Sequence, residues 1–206
     1  MAAEVCRAGG LGFIAAGYFQ PNNNNDNNNW STTAEEQIQL FYQARKDANY
    51  PLCVGFIGHA ALNSPQGWDR FQKLLEQHRP AVVQFFAPSI LQHPDDANIT
   101  NVTLAKDYGA KFVAQVGNVA EAELALAANV DAIIAQGSEA GGHGLRRSVG
   151  NGTLPLVSQI ASMAPNDMPV IAAGGVRSYG MVRLSKIPLL GLSTHHFDCC
   201  LYHTMV

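Results

Sequence analysis

Residues 132–144 read AIIAQGSEAGGHG, a short apolar run that leads into a glycine-rich loop with one histidine. A continuous apolar run of this length is typical of a strand buried on both faces, as in a parallel sheet covered by helices. Glycines let backbone N–H groups approach an anion or a flat ring closely, and His143 can exchange a proton near neutral pH. The stretch predicts a buried strand that ends in a binding loop, Gln136–Gly144; a surface loop with an incidental histidine is the alternative.

A second glycine pair follows the next predicted strand, where residues 172–176 read AAGGV. Paired glycines at a strand end can hold a phosphate through their backbone amides. In a barrel, two successive strand ends are neighbours at the same rim. We therefore predict that Gly174 and Gly175 lie near the loop Gln136–Gly144, although a tight turn between strand and helix would also explain the pair.

Strands and helices alternate along the rest of the chain, which predicts βαβ units and a parallel sheet. The predicted strands are 11–19, 52–57, 81–86, 111–116, 131–135 and 170–173. The predicted helices are 31–48, with Ser31 as its N-cap, 67–78, 95–108, 119–128 and 154–163. Periodicity alone does not separate an open doubly wound sheet from a (β/α) barrel. The glycine-rich signals favour the barrel because they follow several strand ends, whereas a dinucleotide-binding sheet has its fingerprint after the first strand.

Composition narrows the class of protein further. The 206 residues suit one domain, with 47% hydrophobic and 14% charged residues, and the net charge of -3 provides no electrostatic footprint for nucleic acid or an acidic membrane. No apolar run reaches the roughly 18 residues of a membrane span, and the N-terminus lacks the pattern of a secretory signal. The cysteines form no spaced disulfide framework, which favours reduced thiols and a cytoplasmic location. They are Cys6, Cys53, Cys199 and Cys200.

These segments together resemble the nitronate monooxygenase family, also called the 2-nitropropane dioxygenases, from about Ala2 to Val176. The similar stretches are 8–14 (AGGLGFI), 54–56 (VGF), 114–116 (AQV), 136–144 and 172–175. The resemblance implies a TIM-type barrel that binds FMN non-covalently at the carboxyl rim of its strands. It also implies oxidation of alkyl nitronates with O2 to a carbonyl compound and nitrite.

The resemblance assigns roles residue by residue. His143 corresponds to the catalytic base or polarising group. The residues that correspond to the FMN-binding positions are Gln115, Gln136, Gly137, Gly141, Gly142, Ala173, Gly174 and Gly175. Gly55 corresponds to a position where relatives often carry a side-chain amide. The implied partners are a small nitronate or nitroalkane and O2, with no nucleic acid, membrane or metal.

The chain departs from the family pattern at both ends. We expect about six of the eight strands of a barrel, so the predicted organisation is a partial FMN-type barrel over 1–176 and an unmatched, poorly specified tail over 177–206. Losing the neighbouring first and last strands would leave two sheet edges unpaired. Two alternatives to nitronate oxidation therefore stay open: an FMN-dependent enoyl reductase, which shares a similar glycine–histidine loop, and a catalytically inactive truncated homologue.

Other polar residues receive simpler interpretations. We predict that His59, His78 and His93 are solvent-facing or loop residues, and that Glu139 is structural and accepts N–H groups of its own loop. The tail carries histidines and cysteines at helical spacing, which zinc could use; accidental residues in a non-native tail explain them better. They are His195, His196, Cys199, Cys200 and His203.

Overall fold

A computed structural model of the chain describes residues 1–16, 30–45, 48–140 and 150–176, with the side chains of 30, 31 and 32 excepted. The chain divides into two compact units, the first ending at Phe112 and the second beginning at Val113. In each unit parallel strands alternate with helices, and neighbouring strands follow one another in chain order. The predicted tail 177–206 lies outside the described residues.

The described residues of the first unit include three complete strands that pair in parallel. Its elements are α1 (Ala2–Arg7), β1 (Phe13–Ala16), α2 (Trp30–Arg45), β2 (Cys53–Ile57), α3 (Gly58–Ala61), α4 (Pro65–His78), β3 (Val82–Phe86) and α5 (Asn101–Asp107). The register pairs Phe13 with Cys53 and Cys53 with Val82. β2 is buried along its whole length, as expected for a strand covered on both faces.

The second unit contains the strands that carry most of the predicted site. Its elements are β4 (Lys111–Val116, whose first two residues close the first unit), α6 (Val119–Ala127), β5 (Ala132–Gln136), α7 (Thr153–Met163) and β6 (Val170–Ala173). The register pairs Val116 with Ala135, and Gln136 with Ala173. Because these strands are parallel, their carboxyl ends lie at one edge, where the sequence predicts the binding loops.

Aromatic rings form the centre of the first unit. The Phe85 ring is fully buried, and its centroid lies 4.8 Å from that of Phe56, 5.3 Å from that of Phe71 and 5.6 Å from that of Phe112. These residues come from β2, α4, β3 and the start of β4. The cluster joins strands to the helix that covers them, and it is the main packed core of this unit.

We predict that Phe85→Ala lowers the free energy of unfolding by about 3–5 kcal/mol, the range for removing a buried aromatic ring. The measurement is the midpoint of urea unfolding followed by circular dichroism. Leu40→Ala is the control, because Leu40 is 54% exposed on α2 and a surface change of this kind stays within about 0.5 kcal/mol. Equal losses in the two variants would contradict the assignment of this cluster as the core.

The structure corrects two of the predicted helices. The helix predicted over 95–108 begins only at Asn101, because Thr100 and Thr103 form a capping box in which each side chain accepts the other's backbone N–H. Before it, Asp96 accepts the backbone N–H of Asn98, a local turn that competes with helix. The predicted N-cap Ser31 lies inside α2, which begins at Trp30.

Candidate functional site

Two buried glutamines contact each other at the carboxyl ends of β4 and β5. Gln115 Nε2 donates a hydrogen bond of 2.8 Å to Gln136 Oε1, and the two residues are 4% and 8% exposed. The register pairs Gln115 with Ile134, two residues before Gln136, so both side chains lie on the same face. Because Gln136 accepts through its amide oxygen, its NH2 group is left to donate to a ligand.

Gly137 allows the chain after β5 to pass close to α7. Its backbone N–H donates to the carbonyl of Ala173 at 2.9 Å, which extends the pairing of β5 with β6 by one residue. A Cβ added at Gly137 would overlap the backbone nitrogen and the hydroxyl oxygen of Thr153. Only glycine fits here, and the reason is close packing within the protein.

Glu139 caps α7 from the loop after β5. The N-cap Gly152 offers no side chain, and Glu139 Oε2 instead accepts the backbone N–H of Thr153 at 2.8 Å. Hydrogen bonds from its own backbone N–H, from the Thr153 N–H and from the Thr153 hydroxyl lower the pKa of the Glu139 carboxyl below its ordinary 4.5. The prediction that Glu139 is structural is confirmed, although the N–H that it accepts across the loop comes from α7.

The glycine pair after β6 packs against the same loop. Gly174 and Gly175 have φ of +101° and +65°, a backbone conformation that favours glycine. A Cβ at Gly174 would lie 2.7 Å from the backbone nitrogen of Ala140. The carbonyl of Gly174 lies 2.8 Å from the Thr153 hydroxyl. The turn after β6 is therefore held by both the loop after β5 and the start of α7.

A third strand end joins this arrangement through Asn151. Its backbone N–H donates to the carbonyl of Gly117, which follows β4, and its carbonyl accepts the N–H of Ser138 at 2.8 Å. The two described segments that flank 141–149 are thus fixed to the ends of β4, β5 and β6. Within the described residues, the loops predicted to converge do converge.

Six predicted site residues come together at the carboxyl ends of β4, β5 and β6. They are Gln115, Gln136, Gly137, Ala173, Gly174 and Gly175. His143, Gly141 and Gly142 lie outside the described residues. Gly55 belongs to the first unit, where its register partner on β3 is Gln84.

Thr153, which contacts both Glu139 and the turn after β6, was not among the residues predicted from the sequence. A threonine directly before an apolar helical pattern is a start signal for a helix, and that signal would have drawn attention to it. Gln84, which is 5% exposed, was not predicted from the sequence either.

One histidine prediction is wrong. The His78 side chain is 9% exposed, and its Nε2 lies 2.6 Å from Glu35 Oε2 because the end of α4 packs against α2. His59 is exposed, as predicted, and His93 lies in a loop against Trp68.

The described residues also bear on membrane-spanning helices and metal sites. Among them, no helix has the length and apolar character needed to span a membrane. The same part of the chain contains no group of three or more histidine, cysteine or acidic side chains placed to hold a metal ion. The tail residues considered as zinc ligands lie outside it.

Comparison with known proteins identifies the family. The family model for nitronate monooxygenase matches residues 1–183, most of the chain and slightly beyond Val176. The chain belongs to the nitronate monooxygenase family. The nitronate monooxygenase of Neurospora crassa is 31% identical, with a match that covers 85% of this chain and 50% of that protein. A probable nitronate monooxygenase of Staphylococcus saprophyticus is 27% identical over 85% of this chain and 54% of its own length. The chain spans about half the length of these curated relatives.

Solved structures support the same fold. FabK from Thermotoga maritima superposes with a TM-score of 0.63 at 27% identity, covering 88% of this chain and 48% of that one. The nitroalkane oxidase from Streptomyces ansochromogenes superposes with a TM-score of 0.65 at 24% identity, covering 90% of this chain and 59% of that one. The incomplete (β/α)-barrel class predicted from the sequence is confirmed, with six parallel strands among the described residues.

Proposed function

We propose that the protein is an FMN-dependent enzyme that oxidises alkyl nitronates with O2 to a carbonyl compound and nitrite. Membership of the nitronate monooxygenase family is the observation that carries this proposal. The described geometry supports it, because ligand sites of (β/α) barrels lie at the carboxyl ends of the strands. There the second unit brings together two buried amides and a glycine turn.

The described residues fit a flavin. An isoalloxazine ring needs hydrogen-bond donors and acceptors in its plane, and the buried Gln136 amide has an NH2 group and a second oxygen lone pair that supply both types. We assign Gln115 to the same part of the site by family resemblance, where its bond to Gln136 orients that amide. The ring also needs close approach of backbone, which glycines allow. We assign Gly137, Gly141, Gly142 and Ala173 to this part of the site by family resemblance, with Gly137 acting through the packing that positions the loop.

The turn Gly174–Gly175 fits the phosphate that distinguishes FMN from riboflavin. Neither glycine donates its backbone N–H to another of the described residues, and Gly175 is exposed. Free N–H groups in a glycine turn are ready donors for an anion. We therefore propose FMN as the flavin, with its phosphate at this turn.

The bound flavin would supply the redox chemistry, and the protein would supply orientation and electrostatics. We propose His143 as the group that handles the substrate. A neutral imidazole can take the α-proton from a nitroalkane, and an imidazolium can hold the anionic nitronate. The small nitronate or nitroalkane and O2 are the proposed partners. The reduced, buried thiols of Cys6 and Cys53 are consistent with the proposed cytoplasmic location.

The decisive experiment is flavin binding followed by turnover. The purified 206-residue chain is titrated with FMN, and the visible absorption spectrum is recorded. We expect stoichiometric binding and nitronate-dependent oxygen uptake that yields nitrite. No binding at any FMN concentration would refute this function and favour the inactive homologue. Flavin reduction by NADH without nitronate-dependent oxygen uptake would instead favour the enoyl reductase.

A further inference from the structure

Thr153 connects three parts of the second unit through one hydroxyl group. It is the first residue of α7 and is 2% exposed. Its Oγ1 lies 2.9 Å from Glu139 Oε2 and 2.8 Å from the carbonyl oxygen of Gly174, with the Ala173 carbonyl farther away at 3.4 Å. The side chain therefore reaches from the helix to the turn after β6.

The contact with Gly174 sets the direction of the next N–H group. Within the described residues the only cis peptide bond is Ala87–Pro88, so the peptide that joins Gly174 and Gly175 is trans. In a trans peptide the C=O and N–H groups point in opposite directions. Because the Gly174 carbonyl faces Thr153 on α7, the Gly175 N–H points away from the helix, where it is open to a ligand.

A peptide between two glycines does not hold this direction by itself. Neither residue has a Cβ, so the peptide plane can rotate without the steric barrier that other residues impose. A hydrogen bond to the carbonyl is the simplest way to select one orientation. The Thr153 hydroxyl has one proton, which it shares between the Gly174 carbonyl and Glu139 Oε2 in a three-centre hydrogen bond, and the Gly174 carbonyl is the nearer acceptor. The Thr153 backbone is held in turn by the bond from its own N–H to Glu139, and a β-branched side chain has few χ1 rotamers.

We infer that Thr153 is a positioning residue that aims the Gly175 N–H at the phosphate of the bound flavin. This inference rests on the proposed function, because it takes the Gly174–Gly175 turn as the phosphate site. Thr153 itself does not touch the phosphate. Its effect passes through the orientation of one peptide group.

The test compares two ligands that differ only in the phosphate. Dissociation constants for FMN and riboflavin are measured by fluorescence quenching for the wild type, Thr153→Val, Thr153→Ser and Ser158→Ala. Loss of one hydrogen bond corresponds to roughly three- to tenfold in affinity. We expect Thr153→Val to weaken the binding of FMN by this factor and to leave the affinity for riboflavin within about twofold of the wild type. Thr153→Ser keeps the hydroxyl and should retain the wild-type ratio. Ser158→Ala removes an exposed hydroxyl from the same helix and should also retain it.

The outcomes separate this inference from the proposed function. A wild type that prefers FMN, with the same preference in Thr153→Val, overturns the role of Thr153 and leaves the phosphate site standing. A wild type that binds both ligands equally overturns the phosphate site and the inference together. Parallel weakening of both ligands in Thr153→Val shows a merely structural role and also overturns the inference.

A second measurement does not depend on the folding of a variant. In the wild-type protein labelled with 15N, we expect the Gly175 amide resonance to shift on addition of FMN and to stay in place on addition of riboflavin. A shift of equal size with both ligands, or no shift with FMN, overturns the inference.

Discussion

Gly137→Ala is expected to lower the free energy of unfolding by about 3 kcal/mol or more, at or beyond the usual upper range for overpacking, and to remove FMN binding. The added methyl group would overlap the backbone nitrogen of Thr153 as well as its hydroxyl oxygen. A side chain can rotate away from such a contact, but the first residue of a helix cannot move alone. The start of α7 must shift, and it would lose its bonds to Glu139 and to the turn after β6. Urea unfolding and an FMN titration measure the two effects.

Gly109→Ala is the matched control for the loss of a glycine. Gly109 has φ of +84° and no heavy atom within 4 Å of an added Cβ. The Gly109→Ala variant should lose only about 1–2 kcal/mol of its free energy of unfolding, from left-handed backbone strain, and should keep the wild-type affinity for FMN. If the Gly137→Ala variant is no less stable than the Gly109→Ala variant, the assignment of close packing between this loop and α7 is wrong.

The strands, and the proximity of their carboxyl ends, could be predicted because the sequence patterns that indicate them are local. β5 is a run of buried apolar residues, and the glycines that follow it mark its end. Parallel pairing then brings the carboxyl ends to one edge without further information, which is why Gln136 and Ala173 were expected near each other and are register partners. Binding residues that lie directly at strand ends are the easiest part of such a site to find from sequence.

The contacts that hold the site together could not be predicted in the same way. Thr153 and Glu139 are 14 residues apart, and nothing in their spacing indicates that a carboxylate from one loop caps the next helix. The glycines were expected to make room for a ligand. At Gly137 and Gly174 the space is instead filled by Thr153 and Ala140. Glycine in a loop indicates close approach, but the sequence does not say of what.

The predicted helix boundaries and the predicted exposure of side chains were wrong where competing local caps or tertiary packing determine them. The start of α5 depends on the capping box at Thr100, which competes with acidic residues upstream that also suit a first turn. The burial of His78 depends on a neighbouring helix that brings Glu35 to it. In both cases the residue type is compatible with two environments, and only a partner distant in sequence or a competing cap selects one of them.

His143→Ala is expected to lower kcat/KM for a neutral nitroalkane by about a hundredfold or more, the lower part of the range for general acid–base catalysis. The value of kcat/KM for a pre-formed nitronate should fall much less. The physical reason is that a nitroalkane must give up its α-proton before it can be oxidised, whereas a nitronate has already lost it. The proton-accepting role that we assign to His143 is therefore needed for the nitroalkane alone. Oxygen uptake with each substrate measures the two rates.

The substrate pair is its own control, since both reactions use the same flavin and the same O2. His143→Asn adds a second comparison, because an amide can hydrogen-bond to the substrate but is a very poor base. If His143 abstracts the proton, the Asn variant should resemble the Ala variant on nitroalkane and approach the wild type on nitronate. Both variants must also bind FMN with wild-type affinity, which separates loss of the base from loss of the cofactor. An equal loss with both substrates would reject proton abstraction and leave His143 with the electrostatic role of holding the anion.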